Sequence, residues 1–175
     1  MQTKERLLQQ IRTIPDFPVP GIQFKDITPL LGDYQTLRLT SDMLASPFTN
    51  TQVDYVAGLE SRGFLFGPGM AAALEAGFIP IRKPNKLPAE TISHSYDLEY
   101  GTDSLEIHKD ALSAGANVII HDDLIATGGS AVAAAHLIEK LGGNIVGFSF
   151  IMELEELKGK EKLLSTAPCH IILSI

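Results

Sequence analysis

Residues 118–130 read VIIHDDLIATGGS: three β-branched apolar residues, two adjacent carboxylates, and a Thr-Gly-Gly-Ser turn that opens an alanine-rich run. Val118, Ile119 and Ile120 have the uninterrupted apolar character of a parallel strand covered on both faces, and the spacing over 131–141 is helical. A strand handed straight to a helix is the repeating unit of an α/β fold. It predicts a strand over 117–121 and a helix over 129–141, with Asp122 and Asp123 where one becomes the other. Thr127, Gly128, Gly129 and Ser130 can present backbone N–H groups at the start of that helix, where unpaired donors and the helix dipole favour a phosphate. Carboxylates beside a phosphate repel it unless sugar hydroxyls or a divalent cation stand between them. A ligand with both a diol and a phosphate fits both halves of the segment. The plainer alternative is that the acids only start a helix and the glycines only turn the chain.

The rest of the chain repeats the strand-helix alternation. Strands are predicted over 55–58, 78–82 and 145–152, and a helix over 63–76 stopped by Gly77. The fold class is therefore α/β, a doubly wound, mainly parallel sheet in which ligands bind beyond the carboxyl ends of the strands. Both Ser61-Arg62 and Asp122-Asp123 fall there. Ahead of it, Leu7, Leu8, Ile11 and Ile14 mark one face of an N-terminal helix that Pro15 should end. A proline-rich loop follows. Asp33 is an N-cap for a second helix running to about Ala45, with Leu37, Ser41 and Leu44 along one side. An excursion over 84–103, containing SYDLEYG, is expected to form a hairpin or lid with a returning strand over 104–108. EELKGKEK near the C-terminus reads as a solvated helix or turn.

At 175 residues the chain fits one domain, 1–175, with N-terminal helices and a loop over 1–46 and a lid insertion over 83–103. With 45% hydrophobic and 20% charged residues it is globular in composition. It shows neither a bilayer-length apolar segment nor a signal-peptide core, so no membrane partner and a cytoplasmic location are expected. The single Cys169 excludes an intrachain disulfide and a multi-cysteine metal site; a small buried apolar role is expected for it. His94, His108 and His136 have no metal-ligand spacing. A net charge of −7 argues against a nucleic-acid partner. An anionic ligand must then meet local positive charge, from Arg62 in GLESRGFLFGPG or from Arg82, Lys83 and Lys86 in PIRKPNK.

The segment VIIHDDLIATGGS resembles the 5-phosphoribosyl pyrophosphate (PRPP) signature of type I phosphoribosyltransferases. FPVPGIQFKDITPLL, GLESRGFLFGPG, PIRKPNKLP and SYDLEYGTDSLEIHKDAL extend the resemblance over most of 17–149. It implies that family's fold, with an inserted hairpin and an N-terminal helical hood. It also implies transfer of phosphoribose from PRPP to adenine, giving AMP and pyrophosphate in purine salvage, with Mg2+ carried by PRPP near Asp122 and Asp123, and a homodimer. By the resemblance Asp122 and Asp123 hold the ribose hydroxyls, while Ala126, Thr127, Gly128, Gly129 and Ser130 wrap the 5'-phosphate. Arg62 matches the pyrophosphate loop, where a cis peptide is expected at Ser61-Arg62, and Arg82, Lys83 and Lys86 resemble the basic group that meets pyrophosphate. Phe24 resembles the aromatic that stacks on adenine, walled by Gln23 and Lys25. Glu99 matches the carboxylate that takes adenine's ring proton, and Tyr100 a lid residue. The chain departs from the family at Gln23, Lys25 and His121, where a small apolar residue, an arginine and an apolar residue are more usual. A lysine cannot reproduce a bidentate guanidinium contact. Ala126 stands where transferases for hypoxanthine and guanine place an aspartate, which favours an amino-purine. A xanthine or other nucleobase transferase, and a non-catalytic PRPP-sensing regulatory domain, remain as alternatives.

Overall fold

The apolar run at Val118, Ile119 and Ile120 lies in the middle strand of a five-stranded parallel sheet in the computed structural model, which describes residues 2–97 and 101–175. In chain order the elements are α1 (Gln2–Gln10), β1 (Arg12–Pro15), β2 (Gln23–Asp26), α2 (Thr28–Gly32), α3 (Tyr34–Ala45), β3 (Tyr55–Leu59), α4 (Gly63–Ala73) and β4 (Gly77–Ile81). After these come β5 (Thr91–Asp97), β6 (Thr102–His108), β7 (Asn117–Ile125), α5 (Gly129–Lys140), β8 (Asn144–Glu153) and β9 (Cys169–Ser174). The sheet order is β4-β3-β7-β8-β9, with every pairing parallel. The antiparallel pairs β1-β2 and β5-β6 stand apart from it as the hood ribbon and the inserted hairpin.

Alternation along β7 places a core on each face of the sheet. Val118 and Ile120 pack with Ala131, Ala134, Leu137 and Ile138 of α5 and with Leu105 and Ile107 of the hairpin. Ile119 faces the other way, toward Leu44 of α3, Phe66 and Met70 of α4, and Leu7, Ile27 and Leu30 of the hood. Asp33 caps α3 as expected, its side chain accepting from the Thr36 N–H at 2.9 Å. The carbonyls at the far end of that helix are met by the sheet: the Ser149 hydroxyl donates to Leu44 O at 3.0 Å, and His170 Nε2 lies 3.1 Å from Met43 O. Cys169 is half-buried in β9, and burial pushes its thiol up to about 11.

Several boundaries differ from the sequence reading. β7 continues to Ile125, so the acidic pair lies within a strand; Asp122, Leu124 and Ile125 pair with Phe150, Met152 and Glu153 of β8. Its other neighbour, β3, has already ended at Leu59, which exposes that edge. The first helix stops at Gln10, and Ile14 lies exposed in β1, where the ribbon pairing and an Arg12–Asp26 ion pair of 2.6 Å govern. The helix expected over 63–76 ends at Ala73; Glu75, at φ 55°, turns the chain, and Gly77 opens β4. The returning strand of the hairpin starts at Thr102. α2 and β9 lie where the sequence reading put no element. EELKGKEK folds as two short 3-10 turns, Glu155–Leu157 and Gly159–Lys162.

Candidate active site

Beyond the end of β3, where β7 runs on alone beside β8, a cavity of about 240 Å³ is lined by Glu60, Ser61, Arg62, Asp122 and Asp123. It forms because α4 starts immediately after the 60–62 loop and crosses close to β7. A Cβ on Gly63 would lie 2.8 Å from His121 O and 3.2 Å from Asp122 Oδ1, so only glycine fits that crossing. The non-proline cis peptide of this loop joins Glu60 to Ser61, one residue earlier than the sequence reading placed it.

Asp123 is buried, and its Oδ2 accepts from Arg62 Nε at 2.5 Å. The same guanidinium lies over the Phe24 ring, 4.9 Å from its centre, and Phe17 packs edge-on to Phe24 at 5.1 Å. Arg62 thus joins the hood to the strand end. Burial and the neighbouring Asp123 charge push the Asp122 carboxyl well above the usual carboxylate range, against the help it gets from the Asp123 N–H at 2.9 Å. Beneath the pair, His121 is fully buried, and desolvation lowers it to about 4 although its Nδ1 lies 2.8 Å from Ser149 O. Its Nε2 has no partner among the described residues.

The expected basic group is present but already paired. Glu60, nine-tenths buried at its side chain, accepts from Arg82 Nε at 3.2 Å, Lys86 Nζ at 2.8 Å and the Lys83 N–H at 3.0 Å. Burial alone would raise this carboxyl; the hydrogen bonds from Lys86, Arg82 and the Lys83 N–H outweigh it and bring it to about 2. The Lys83 ammonium pairs with Asp103 and lies 3.4 Å from the Tyr96 hydroxyl. Each of the four cations singled out in the sequence therefore has a carboxylate partner: Asp123 for Arg62, Glu60 for Arg82 and Lys86, Asp103 for Lys83.

A second cavity, of about 230 Å³, is lined by Leu124, Ala126, Thr127, Gly128, Gly129 and Ser130 together with Tyr96 from the hairpin. Gly128 has φ 80° and precedes the first residue of α5, so the loop presents its amides where the helix begins. The loop rests on the chain near Gly159: a Cβ on Gly128 would meet Gly159 O at 2.6 Å, and one on Gly159 would meet Ala126 O at 2.2 Å. The third cavity, about 630 Å³, lies between Gly21, Ile22, Gln23 and Lys25 of the hood and 154–157 with Ile175. Alternation along β2 therefore parts the expected base-binding trio: Phe24 faces Arg62, while Gln23 and Lys25 line the larger cavity and Lys25 Nζ donates to Thr13 Oγ1 at 3.0 Å. Glu99 and Tyr100 lie outside the described residues.

Glu60, Tyr96 and Gly159 were missed in the sequence. Glu60 carried a signal, an acid directly before Ser61-Arg62; Tyr96 and Gly159 are placed by tertiary packing alone. His94 and His136 stack at 4.5 Å between hairpin and α5. Among the described residues no group of three or more His, Cys, Asp or Glu side chains could hold a metal ion.

A parallel sheet with an acidic strand end, a glycine-bearing loop at a helix start and an inserted hairpin is the architecture of the sugar-phosphate transferases suggested by the sequence motifs. The phosphoribosyl transferase domain model matches residues 37–170, and the chain belongs to that family. It is similar to the adenine phosphoribosyltransferase of Gloeobacter violaceus, 55% identical over 157 residues that cover 90% of this chain and 92% of the relative. The crystal structure of adenine phosphoribosyltransferase from Rhodothermus marinus superposes with a TM-score of 0.95 at 50% identity, covering 99% of each chain. The Saccharomyces cerevisiae enzyme, solved with D-2,5-dideoxy-2,5-imino-altritol 1,6-bisphosphate and adenine, has a TM-score of 0.92 at 45% identity, over 98% of this chain and 99% of that one.

Proposed function

We propose that this chain transfers 5-phosphoribose from PRPP to adenine, giving AMP and pyrophosphate in purine salvage, as a cytoplasmic homodimer acting on magnesium-bound PRPP. The observation that carries this reading is Arg62, held between the Phe24 ring at 4.9 Å and Asp123 at 2.5 Å. One guanidinium puts a base-stacking aromatic, an anion-binding group and a sugar-binding carboxylate within a single reach. The names of the similar proteins supply the base.

In this scheme the amides of Ala126 to Ser130 bind the 5'-phosphate at the start of α5. Asp122 and Asp123 fix the ribose hydroxyls. A ring nitrogen of adenine attacks the anomeric carbon while the bond to pyrophosphate breaks and its electron pair leaves with the diphosphate. Positive charge grows on the sugar near the two carboxyl groups, and negative charge grows on the leaving group near Arg62, Arg82, Lys83 and Lys86. Glu99 takes the ring proton and Tyr100 shields the reacting carbon, roles that rest on the family pattern. Phe24 stacks the base, while Gln23 and Lys25 stand on the other side of β2, along the larger cavity. Because Arg62 covers Phe24 in this state, the shift of Arg62 toward pyrophosphate also uncovers the ring for adenine.

The oxygen donors Asp122 and Asp123 suit a hard divalent cation, but Asp123 is committed to Arg62. Mg2+ would therefore be held mainly by substrate oxygens, and it supplies neutralising charge on the diphosphate. The test is pyrophosphate release from PRPP with Mg2+ and one nucleobase at a time. Release with adenine is expected. Release only with xanthine or orotate would overturn the base assignment, and PRPP binding with no release for any base would make the chain a regulatory domain.

A further inference from the structure

Lys83 is assigned above to pyrophosphate, yet its ammonium is held by the hairpin. Its backbone is anchored: the Lys83 N–H donates to Glu60 Oε2 at 3.0 Å, and neighbouring Arg82 exchanges backbone hydrogen bonds of 2.9 and 2.8 Å with Glu106 of β6. From that fixed point the side chain reaches the Asp103 carboxylate and the Tyr96 hydroxyl, with Nζ 5.9 Å from the centre of the Tyr96 ring. Tyr96 and Asp103 are direct cross-strand partners, and the Tyr96 hydroxyl donates to Asp103 Oδ2 at 3.3 Å. Tyr96 also lines the cavity of the 126–130 loop. The three groups thus link the segment after β4, both arms of the hairpin and the candidate phosphate loop.

We propose that Tyr96 and Asp103 form a cross-strand latch that parks Lys83 on the hairpin, and that the diphosphate of the sugar donor releases it. Asp103 is then a positioning residue that competes with pyrophosphate for Lys83 and eases the departure of the product. The latch rests on the assignment of Lys83 to pyrophosphate under the proposed function. Its chemistry suits the task. The Lys83 and Asp103 side chains are 37% and 28% exposed, and pairs that open to water are weak enough to exchange for a multiply charged anion, holding by less than about tenfold. A lysine is a point charge on a flexible stem, so it can swing between partners without matching a planar fork.

Calorimetric titration of magnesium pyrophosphate into the full chain tests the latch. Asp103→Asn, which keeps the shape and removes the charge, should tighten binding about two- to fivefold while ribose 5-phosphate affinity stays as in the parent. Lys83→Met should weaken pyrophosphate binding, and adding Asp103→Asn to it should change nothing further, the non-additivity expected of a shared partner. Asp103→Ser gives the same contrast should the asparagine variant fold poorly. If Lys83→Met weakens binding but the Asp103 variants leave it unchanged or weaker, the latch is wrong and the assignment of Lys83 stands. If Lys83→Met binds pyrophosphate as the parent does, the assignment fails and the latch fails with it.

Discussion

Arg62 and Glu60 are two residues apart on one loop, and each organises charge of the opposite sign. Arg62 carries its charge on a delocalised guanidinium, which sits over Phe24 and still directs Nε at Asp123. A lysine has no plane to stack and no fork to aim. Once Arg62 has turned to the diphosphate, a lysine in its place offers a point charge instead of a fork, so Arg62→Lys is expected to raise the KM for PRPP about tenfold or more, the scale of a lost hydrogen bond to a charged group. Steady-state kinetics with PRPP varied at saturating adenine checks it, and an unchanged KM would remove Arg62 from the site. Glu60 gives a different signature. Its carboxyl titrates near 2 in the folded chain against an ordinary 4.5. The unfolded chain therefore takes up the proton more readily, so the stabilisation is present above about pH 4.5 and is lost as pH falls toward 2. The melting-temperature difference between the parent and Glu60→Gln should be widest above pH 4.5 and narrow toward pH 2. A difference independent of pH would mean that the charge of Glu60 is not what Arg82 and Lys86 hold.

Among the elements, the loop over 126–130, proposed above to bind the 5'-phosphate, depends on chain that lies outside its cavity. Ala126 and Gly128 rest against Gly159, and a methyl group there would come within 2.2 Å of Ala126 O. Gly159→Ala should push the loop from the start of α5 and lower ribose 5-phosphate affinity at least tenfold or so, since about 1.4 kcal/mol of lost contact suffices for that. Pyrophosphate binding at the 60–62 loop should be little altered. Equal losses for both ligands in titration would point to general unfolding rather than to the loop. This contact was invisible in the sequence, where Gly159 sat in a run of charges that suggested only solvent. Elements with a strong local pattern were legible: α3 had its Asp33 cap, and α5 its alanine spacing and glycine start. The extension of β7 through Asp122 and Asp123 was not, because it comes from pairing with β8 and not from the residues' own preferences. The same limit hid β9, and it hid the opposite facing of Phe24 and Gln23, which becomes plain only once residues 23–26 are known to be a strand. The cations were legible as residues, but Glu60 and Asp103, the partners of Arg82, Lys86 and Lys83, were not, because they lie 20 or more residues away along the chain.

For the whole molecule the decisive quantity is charge. The chain carries a net −7, and Arg62, Arg82, Lys83 and Lys86 are each paired with a carboxylate. A donor bearing a phosphate and a diphosphate adds several more negative charges to this setting, and beyond roughly 8–10 Å salt screens what distant lysines could offer. The four cations can change partners, but moving them all strands three carboxylates, and the side chains of two of these, Glu60 and Asp123, are only 9% and 4% exposed. Neutralisation must then arrive with the ligand. PRPP binding measured by calorimetry without a nucleobase, so that no turnover intervenes, should weaken at least tenfold or so when Mg2+ is removed with EDTA and recover when Mg2+ is restored, since losing a divalent cation from a diphosphate site removes well over the 1.4 kcal/mol that tenfold represents. Equal affinity with and without Mg2+ would mean that the paired cations exchange unaided, and that the buried Glu60 and Asp123 give up their partners at little cost.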